Sequence, residues 1–436
     1  MNVGIIGAGF VGLTLATILG SRGYNTTLMD SNLDKINKIK NGILPFYEPK
    51  LKTFLQKALK HSLNLTTDSK YIVNNCKIIF VTVGTPTLID GKSNLSHIKK
   101  VVGSIALNLK KTKNRPIIVI KSTVVPGTSE IIKQTLEKKL GKKSGVGFGL
   151  ITNPEFLSEG SAVNDTLNPH VIVIGGIEKK FINIMKKFYQ GFHKKNIPII
   201  TTNPQTAEMI KYANNSFLAT KISFINQLAN ISQQLPGVNI DDVAKTIGLD
   251  PRIGIPFLKA GPGYGGSCLP KDINAFITFS TQLGYHPALL KMVKKTNEEQ
   301  IMSIFSQIKK ILGKIREKQI TILGLSFKED SDDIRESVSI KLIQLLLNAK
   351  AHIVVHDPLA IKNTKEIFKN KILYAKSIHE SLEKSECVVI MTPWRQYKQL
   401  SDKDFQIMKK PIVIDTRRLL INKNLSVDYY ATGVGK

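Results

Sequence analysis

Cysteine is scarce in this 436-residue chain: Cys76, Cys268 and Cys387 lie far apart and form no CxxC pair. That spacing argues against a disulfide framework and a cysteine-based zinc site, and no metal site is expected. Long hydrophobic runs are missing too. KIIFVTV, PIIVI, HVIVIGG and CVVIMTP are too short to span a bilayer and read as buried strands. The first residues, MNVGIIGAG, carry no basic n-region and lead straight into a strand and a glycine turn. A signal peptide is therefore not expected; the predicted location is cytoplasmic, without a membrane partner. Acidic residues are outnumbered, 33 against 62 basic ones, for a net charge of +29. A basic surface can serve nucleic acid or acidic lipid. Here the excess is mostly lysine, scattered through KINKIKN, LEKKLGKK, FHKKN and KMVKK. With no low-complexity arm, zinc-finger spacing or RNP-like aromatic set, it reads as solvated faces, and no nucleic-acid partner is expected.

What is present is one architecture used twice. NVGIIG reads as a strand, GAGFVG as a glycine turn, LTLATILGSRG as a helix ended by Gly23, and NTTLMD as a strand ending in Asp30. KIIFVTVGTP, PIIVIKST, GLITNPEF and HVIVIGG continue the alternation. Apolar strands separated by helices imply a parallel sheet covered on both faces. The last third repeats the pattern in QITILG, HIVVHD, CVVIMTP and PIVIDTR. Its first strand is followed by SFKEDSDDIRES in place of GxGxxG, so a second dinucleotide is not expected there in the same manner. Between the two, PQTAEMIKYANNSFLATKISFINQLANISQQL predicts a helix of about 30 residues, roughly 45 Å long, suited to a hinge or a dimer interface. The expected fold is α/β, two Rossmann-like doubly wound parallel-sheet domains joined by a long central helix. The expected boundaries are 1–200, 201–300 and 301–436.

Gly7-Ala8-Gly9-Phe10-Val11-Gly12 is a GxGxxG between strand and helix, with Asp30 about 20 residues on. Gly7 permits the tight turn, Gly9 lets backbone approach a pyrophosphate, and Gly12 allows close helix–strand packing. A carboxylate at Asp30 accepts from ribose hydroxyls and repels a 2′-phosphate, which favours NAD over NADP. Val83-Gly84-Thr85-Pro86 and Lys121-Ser122-Thr123 end two strands, where an α/β sheet places its ligand crevice. Asn153 to Gly160 carries Glu155 and Glu159, a pair suited to proton handling. Lys211 and Asn215, four apart on the long helix, share a face and can polarise an oxygen.

GPGYGGSCLPKD, residues 261–272, sets a lone thiol in a loop that cannot be a helix or a central strand. From this stretch alone, a tight turn that happens to contain cysteine is an equal reading. Beside an NAD-binding sheet the thiol gains a purpose. Carrying an aldehyde on to an acid needs a nucleophile whose adduct can lose hydride, and a thiolate gives a thiohemiacetal, then a thioester. A thiol next to Lys271, among backbone amides, can have a lowered pKa. Together these features predict a four-electron oxidation of an alcohol to a carboxylate.

GAGFVG, PFYEP, VGTP, KSTVVPGT, NPEFLSEG, AEMIKYANNSFLATKISFIN, PRIG, GPGYGGSCLPKD, FKEDSDDIRES and DTR run in this order along nearly the whole chain. The set resembles the UDP-glucose/GDP-mannose dehydrogenase family. The resemblance implies two NAD reduced per sugar nucleotide oxidised at C6. It makes Cys268 the nucleophile, with Lys211, Asn215 and Asp272 activating the reacting oxygen or a water, and Glu159 with Thr123 assisting proton transfer or thioester hydrolysis. NAD would meet Gly7, Gly9, Phe10, Val11, Gly12, Asp30, Lys35, Gly84, Thr85, Thr123, Glu159, Lys271 and Arg335. The UDP-sugar would be held by Glu155, Phe156, Leu157, Ser158, Glu159, Lys211, Asn215, Lys259, Gly263, Tyr264 and Gly265, with Phe327, Lys328 and Arg417 from the last third. Arg252 in PRIG matches an arginine donated across a homodimer. The three regions then read as an NAD-binding domain, a central dimerisation region with the cysteine loop, and a UDP-sugar-binding domain. Leu269 and Ser158 depart from the commonest UDP-glucose pattern, where Phe and Arg are frequent. PFYEP and KAGPGYGG lean toward UDP-glucose; UDP-N-acetylhexosamine and GDP-mannose are the alternatives. A two-electron hydroxyacid dehydrogenase of similar plan is the distant one, and it would have no use for the thiol.

Overall fold

Strands covered on both faces favour apolar residues on both, and the interior runs of this chain are predominantly apolar. In the first unit, Met1–Asn214, these are β1 (Val3–Ile6), β2 (Thr26–Met29), β4 (Ile78–Val81), β5 (Ile117–Ile120), β6 (Gly149–Thr152) and β7 (Ile172–Gly175), with β3 (Leu63–Thr66) and β8 (Ile199–Thr202) at the edges. The computed structural model describes residues 1–193 and 196–435. Alternate residues feed two cores. Ile5, Phe80 and Val119 face one layer of helices, and Ile6, Ile79, Val81, Ile118 and Ile120 face the other.

The strand order is β3-β2-β1-β4-β5-β6-β7-β8. The chain reverses direction along the sheet between β1 and β4, and a crevice opens outside their carboxyl ends. The first six strands are parallel. β7 and β8 are parallel to each other, but β7 joins β6 antiparallel through Thr152 and Gly175. The β6–β7 connection holds only a six-residue helix, Ala162–Leu167, in place of a full crossover helix.

The second unit, Asn215–Lys436, contains an all-parallel sheet in the order β11-β10-β9-β12-β13-β14. Its strands are β9 (Gln319–Leu323), β10 (His352–His356), β11 (Leu373–Tyr374), β12 (Cys387–Ile390), β13 (Ile412–Asp415) and β14 (Asp428–Ala431). The long helix is Pro204–Ser232, 29 residues, and the unit boundary falls within it. A second long helix, Ala288–Leu312, was not anticipated from the sequence pattern. Among the described residues, no helix is long and apolar enough to cross a membrane.

Two cysteines are core residues. Cys76 and Cys387 are buried, and burial pushes the Cys76 thiol up to about 11 and the Cys387 thiol higher still. Cys268 is exposed.

Candidate active site

In the first unit the glycine turn has the geometry its spacing implies. Gly7 adopts φ +110°, a region open to glycine. A Cβ on Gly12 would lie 1.9 Å from the Gly7 carbonyl oxygen and 2.4 Å from Thr82 Oγ1. A Cβ on Gly9 would meet nothing within 4 Å. Gly9 caps the helix Phe10–Ser21, which has no side-chain cap and no acidic residue in its first turn. Its first N–H groups face an open cradle fit for an anion. Phe10 packs on Phe46 of PFYEP, ring centroids 5.0 Å apart, and Val11 is half-buried in the same turn.

Asp30 lies at the end of β2. Its carboxylate accepts from Ala8 N at 2.9 Å, Asn32 N at 3.0 Å and Lys35 Nζ at 3.1 Å. Burial works to raise its pKa, but these donors outweigh burial and hold it below the usual carboxylate range. An ionised carboxylate beside the turn suits a ribose and disfavours a 2′-phosphate. Thr85 Oγ1 donates to Thr123 O at 2.8 Å, so the ends of β4 and β5 are tied together next to exposed Gly84. The residues present fit a dinucleotide.

Five polar groups from four segments converge farther along the sheet. Glu155, buried after β6, pairs with Lys211 Nζ at 3.2 Å and accepts from Leu157 N at 2.6 Å. Burial would raise its pKa; the Lys211 ammonium, the Leu157 N–H and Lys121 overcome that and hold it low. Lys211 also passes over the Phe156 ring at 5.5 Å. Lys121 donates to Asn153 Oδ1 at 3.0 Å, Tyr189 OH donates to the same oxygen, and Asn153 Nδ2 donates to Val173 O at 2.7 Å. Residues 153–158 are not helical, so Glu155 and Glu159 do not share a helix face; Glu159 is half-buried and Ser158 exposed. Glu48 of PFYEP is buried beneath this loop and accepts from Gly160 N at 2.8 Å and Val163 N at 3.3 Å. Sequence motifs contain Lys121, Asn153 and Glu48 but give them no task, and nothing local marks Tyr189.

In the second unit the cysteine stretch is half loop and half helix. Residues 261–267 are irregular, and Cys268 is the N-cap of the helix Leu269–Gln282. The expectation of a loop through Asp272 is corrected here. Pro270 near the helix start and Asp272 in the first turn are start signals that the sequence carries. Lys271 pairs with Asp272, not with the thiol. The helix N-terminus at Cys268 is a place that favours negative charge. Asp272 is 1% exposed and also accepts from Asn215 Nδ2 at 2.6 Å.

The glycine loop is clamped from three sides. Asn226 of the long helix accepts from Gly261 N at 2.7 Å, and Gln300 Nε2 donates to Gly261 O at 2.8 Å. Asn297 takes both Tyr264 backbone groups, at 2.8 and 3.0 Å. Gly266 N donates to Arg335 O at 2.9 Å. Cβ atoms on Gly261 and Gly266 would lie 2.8 Å from Arg417 Nη1 and 2.7 Å from the Phe327 ring. The structure thus brings Gly263, Tyr264, Gly265, Phe327 and Arg417 together, with Lys328 half-buried beside Phe327. Burial first, and Arg418 second, lower Arg417 to about 10, so it stays cationic at neutral pH. Lys259 is exposed. Arg252 is exposed and folds onto Asp250 at 2.6 Å, while the Arg335 guanidinium binds Asp333 at 2.7 Å.

The second sheet repeats the turn without its vacancy for ribose. Gly324 has φ +96°, and Thr392 Oγ1 donates to Ser326 O as Thr82 Oγ1 does to Gly7 O. Asp357 stands after β10 where Asp30 stands after β2. Its two oxygens already accept from Leu325 N, Ser326 N, Ser326 Oγ, Trp394 Nε1, Leu359 N and Ala360 N. A carboxylate so filled has no capacity left for ribose hydroxyls.

The chain matches three domains of the UDP-glucose/GDP-mannose dehydrogenase family: the NAD binding domain over residues 1–193, the central domain over 205–299 and the UDP binding domain over 321–422. It is 38% identical to a UDP-glucose 6-dehydrogenase of Rickettsia felis over 440 residues, covering 99% of this chain and 96% of that one. It is 37% identical to the UDP-glucose 6-dehydrogenase TuaD of Bacillus subtilis over 420 residues, 96% and 89% of the two chains. Among solved structures, a UDP-glucose dehydrogenase from Pyrobaculum islandicum superposes with a TM-score of 0.92 at 32% identity, covering 99% and 98%.

Proposed function

Since the chain belongs to the UDP-glucose/GDP-mannose dehydrogenase family, we propose that it oxidises UDP-glucose at C6 to UDP-glucuronate through a covalent intermediate on Cys268. It is an NAD-dependent oxidoreductase with a UDP-sugar substrate. The observation that carries the covalent step is the exposed Cys268 at a helix N-terminus, with the buried Asn215–Asp272 pair in the same unit.

Gly7, Gly9 and Gly12 would hold NAD at the glycine turn and Asp30 its ribose; NAD would supply the hydride acceptor for two oxidations, C6 alcohol to aldehyde with loss of the hydroxyl proton and thiohemiacetal to thioester, so two NADH would form per UDP-glucose. Lys35, Gly84, Thr85, Thr123, Lys271 and Arg335 complete its proposed contacts. The chain's own groups do the rest. The Cys268 thiolate adds to the C6 carbonyl carbon of the aldehyde, and the new alkoxide takes a proton, giving a thiohemiacetal. Oxidation of that adduct leaves a thioester. Water then breaks the C–S bond, releasing the carboxylate and restoring the thiol. Lys211, Asn215 and Asp272 hold the reacting oxygen or the water, and Glu159 and Thr123 assist the proton transfers. Phe327, Lys328, Arg417 and the clamped glycine loop take the UDP-sugar. The test is NADH formed per sugar nucleotide consumed. Two from UDP-glucose is the expected ratio; one would leave the thiol without work, and two only from UDP-N-acetylhexosamine or GDP-mannose would move the substrate.

A homodimer belongs to the same proposal. Phe217, Phe224 and Ile231 of the long helix are exposed at seven-residue spacing, so they form one apolar stripe. A second copy covering it would also bring exposed Arg252 to a neighbour. Sedimentation equilibrium should give twice the chain mass; a monomer at micromolar concentration would end this reading.

A further inference from the structure

Lys121 has a role to fill that the chemistry above leaves open. It is 9% exposed at the end of β5, and its one hydrogen-bond partner among the described residues is the amide oxygen of Asn153. Burying an ammonium is costly, and a single neutral acceptor compensates little of that cost. The carboxylate of its unit that acts on it, Glu155, is already paired with Lys211. Glu155 thus stands against two buried ammonium groups, and it is ion-paired to Lys211 rather than to Lys121. A cation kept on those terms is a poor device for stability.

The surroundings show what it orients. Asn153 Oδ1 faces both Lys121 Nζ and the Tyr189 hydroxyl, which forces Asn153 Nδ2 toward Val173 O. The amide is locked, and it starts the irregular segment whose third residue is Glu155. We propose that Lys121 is a positioning residue of the oxidation: through Asn153 and by its charge it keeps Glu155 ionised and in place against Lys211. The proposal rests on the oxidoreductase reading above.

Titration supports the geometry. Burial depresses Lys121 to about 8; Glu155 opposes the fall and Lys211 adds to it. The charged and titratable groups around Lys121 are Glu155 after β6, Lys211 on the long helix, and Tyr189 and His193 at the helix Lys179–Phe192. Burial pushes Tyr189 up and His193 down, so both are neutral at pH 7 to 8. Of Lys121, Tyr189 and His193, it is the Lys121 ammonium that changes charge in the working range.

The experiment uses full-length Lys121→Met and Lys121→Gln. Methionine keeps the stem without the charge, and glutamine keeps a donor for Asn153 without the charge. NADH formation from UDP-glucose is followed from pH 4 to 10, and thermal midpoints are measured over the same range. Both variants should fold, with midpoints at pH 7 equal to or above wild type. Their kcat should fall about 100-fold while KM for UDP-glucose changes less than about threefold. The acid limb of kcat should move up by about one pH unit, because Glu155 loses a cation that favours its charged form.

A second readout needs no turnover. The folded chain releases the Lys121 proton near pH 8, whereas the unfolded chain holds it to about 10.4. Wild type should gain stability relative to Lys121→Met as pH rises through that window. Wild-type kcat with an unmoved acid limb in either variant overturns the proposal. So does failure of both variants to fold, which would make the lysine structural. If wild type oxidises no UDP-sugar, the activity reading fails, and the midpoint difference still reports whether the buried charge is there.

Discussion

Cys268→Ser lowers NADH formation from UDP-glucose by on the order of 10⁴-fold, with the thermal midpoint unchanged within a degree or two. The side chain is exposed and belongs to none of the hydrophobic cores, so the exchange leaves core packing intact. What changes is nucleophilicity. A helix N-terminus favours ionisation of a thiol, whereas a hydroxyl at the same place stays protonated. Serine also forms a poorer adduct for the second oxidation and a poorer leaving group than thiolate when water attacks. Any residual signal should approach one NADH per sugar nucleotide. A mutant that turns over at the wild-type rate, with the wild-type ratio, would reduce the cysteine to part of a turn. Cys76→Ser and Cys387→Ser are informative partners. Those thiols are buried in the two cores and pushed up by burial, so their replacement should cost stability and leave the NADH ratio alone.

Gly12→Ala and Gly9→Ala separate packing from cofactor binding within one turn. The Gly12 Cβ would sit 1.9 Å from the Gly7 carbonyl oxygen, and neither backbone nor the hydrogen-bonded Thr82 hydroxyl can retreat far. The helix Phe10–Ser21 must shift off β1. Gly12→Ala should lose about 2–3 kcal/mol of stability and at least about 100-fold in NAD affinity. Gly9 has φ −82°, which alanine adopts freely, and its Cβ would meet open space. Gly9→Ala should therefore keep the wild-type midpoint while NAD affinity falls about tenfold or more, since the methyl fills the space kept for the pyrophosphate. The pair is read by thermal melts and NAD titration. A Gly9→Ala enzyme with unchanged NAD affinity would mean the cradle is not where the dinucleotide lies.

The sequence by itself determined the parts whose signal is local. Interior strands are buried on both faces, so β1, β4, β5, β9, β12 and β13 stand out as predominantly apolar runs. The turn needs glycine at set positions, so Gly7, Gly9 and Gly12 declare it with Asp30. A long uninterrupted helical segment announces Pro204–Ser232, matching its start and overrunning its end by three residues.

The strands that sequence reading passed over are β3, β8, β11 and β14, and all four lie at sheet edges. An edge strand is half solvated, so its residues alternate or mix and leave no apolar run. The antiparallel entry of β7 was equally invisible, because strand direction is set by the path of the connection rather than by the strand's own residues.

Tertiary structure alone decided the electrostatics. Lys121, Asn153, Glu155, Tyr189 and Lys211 are spread over ninety residues of chain, and only the sheet and its helices place them within reach of one another. It also decided which carboxylates are available. Asp30 and Asp357 occupy equivalent places after a second strand, yet one faces an open turn and the other is filled by six donors of its own unit. Composition and spacing treat those two residues alike; burial and hydrogen-bond geometry, which come only with the packed fold, tell them apart.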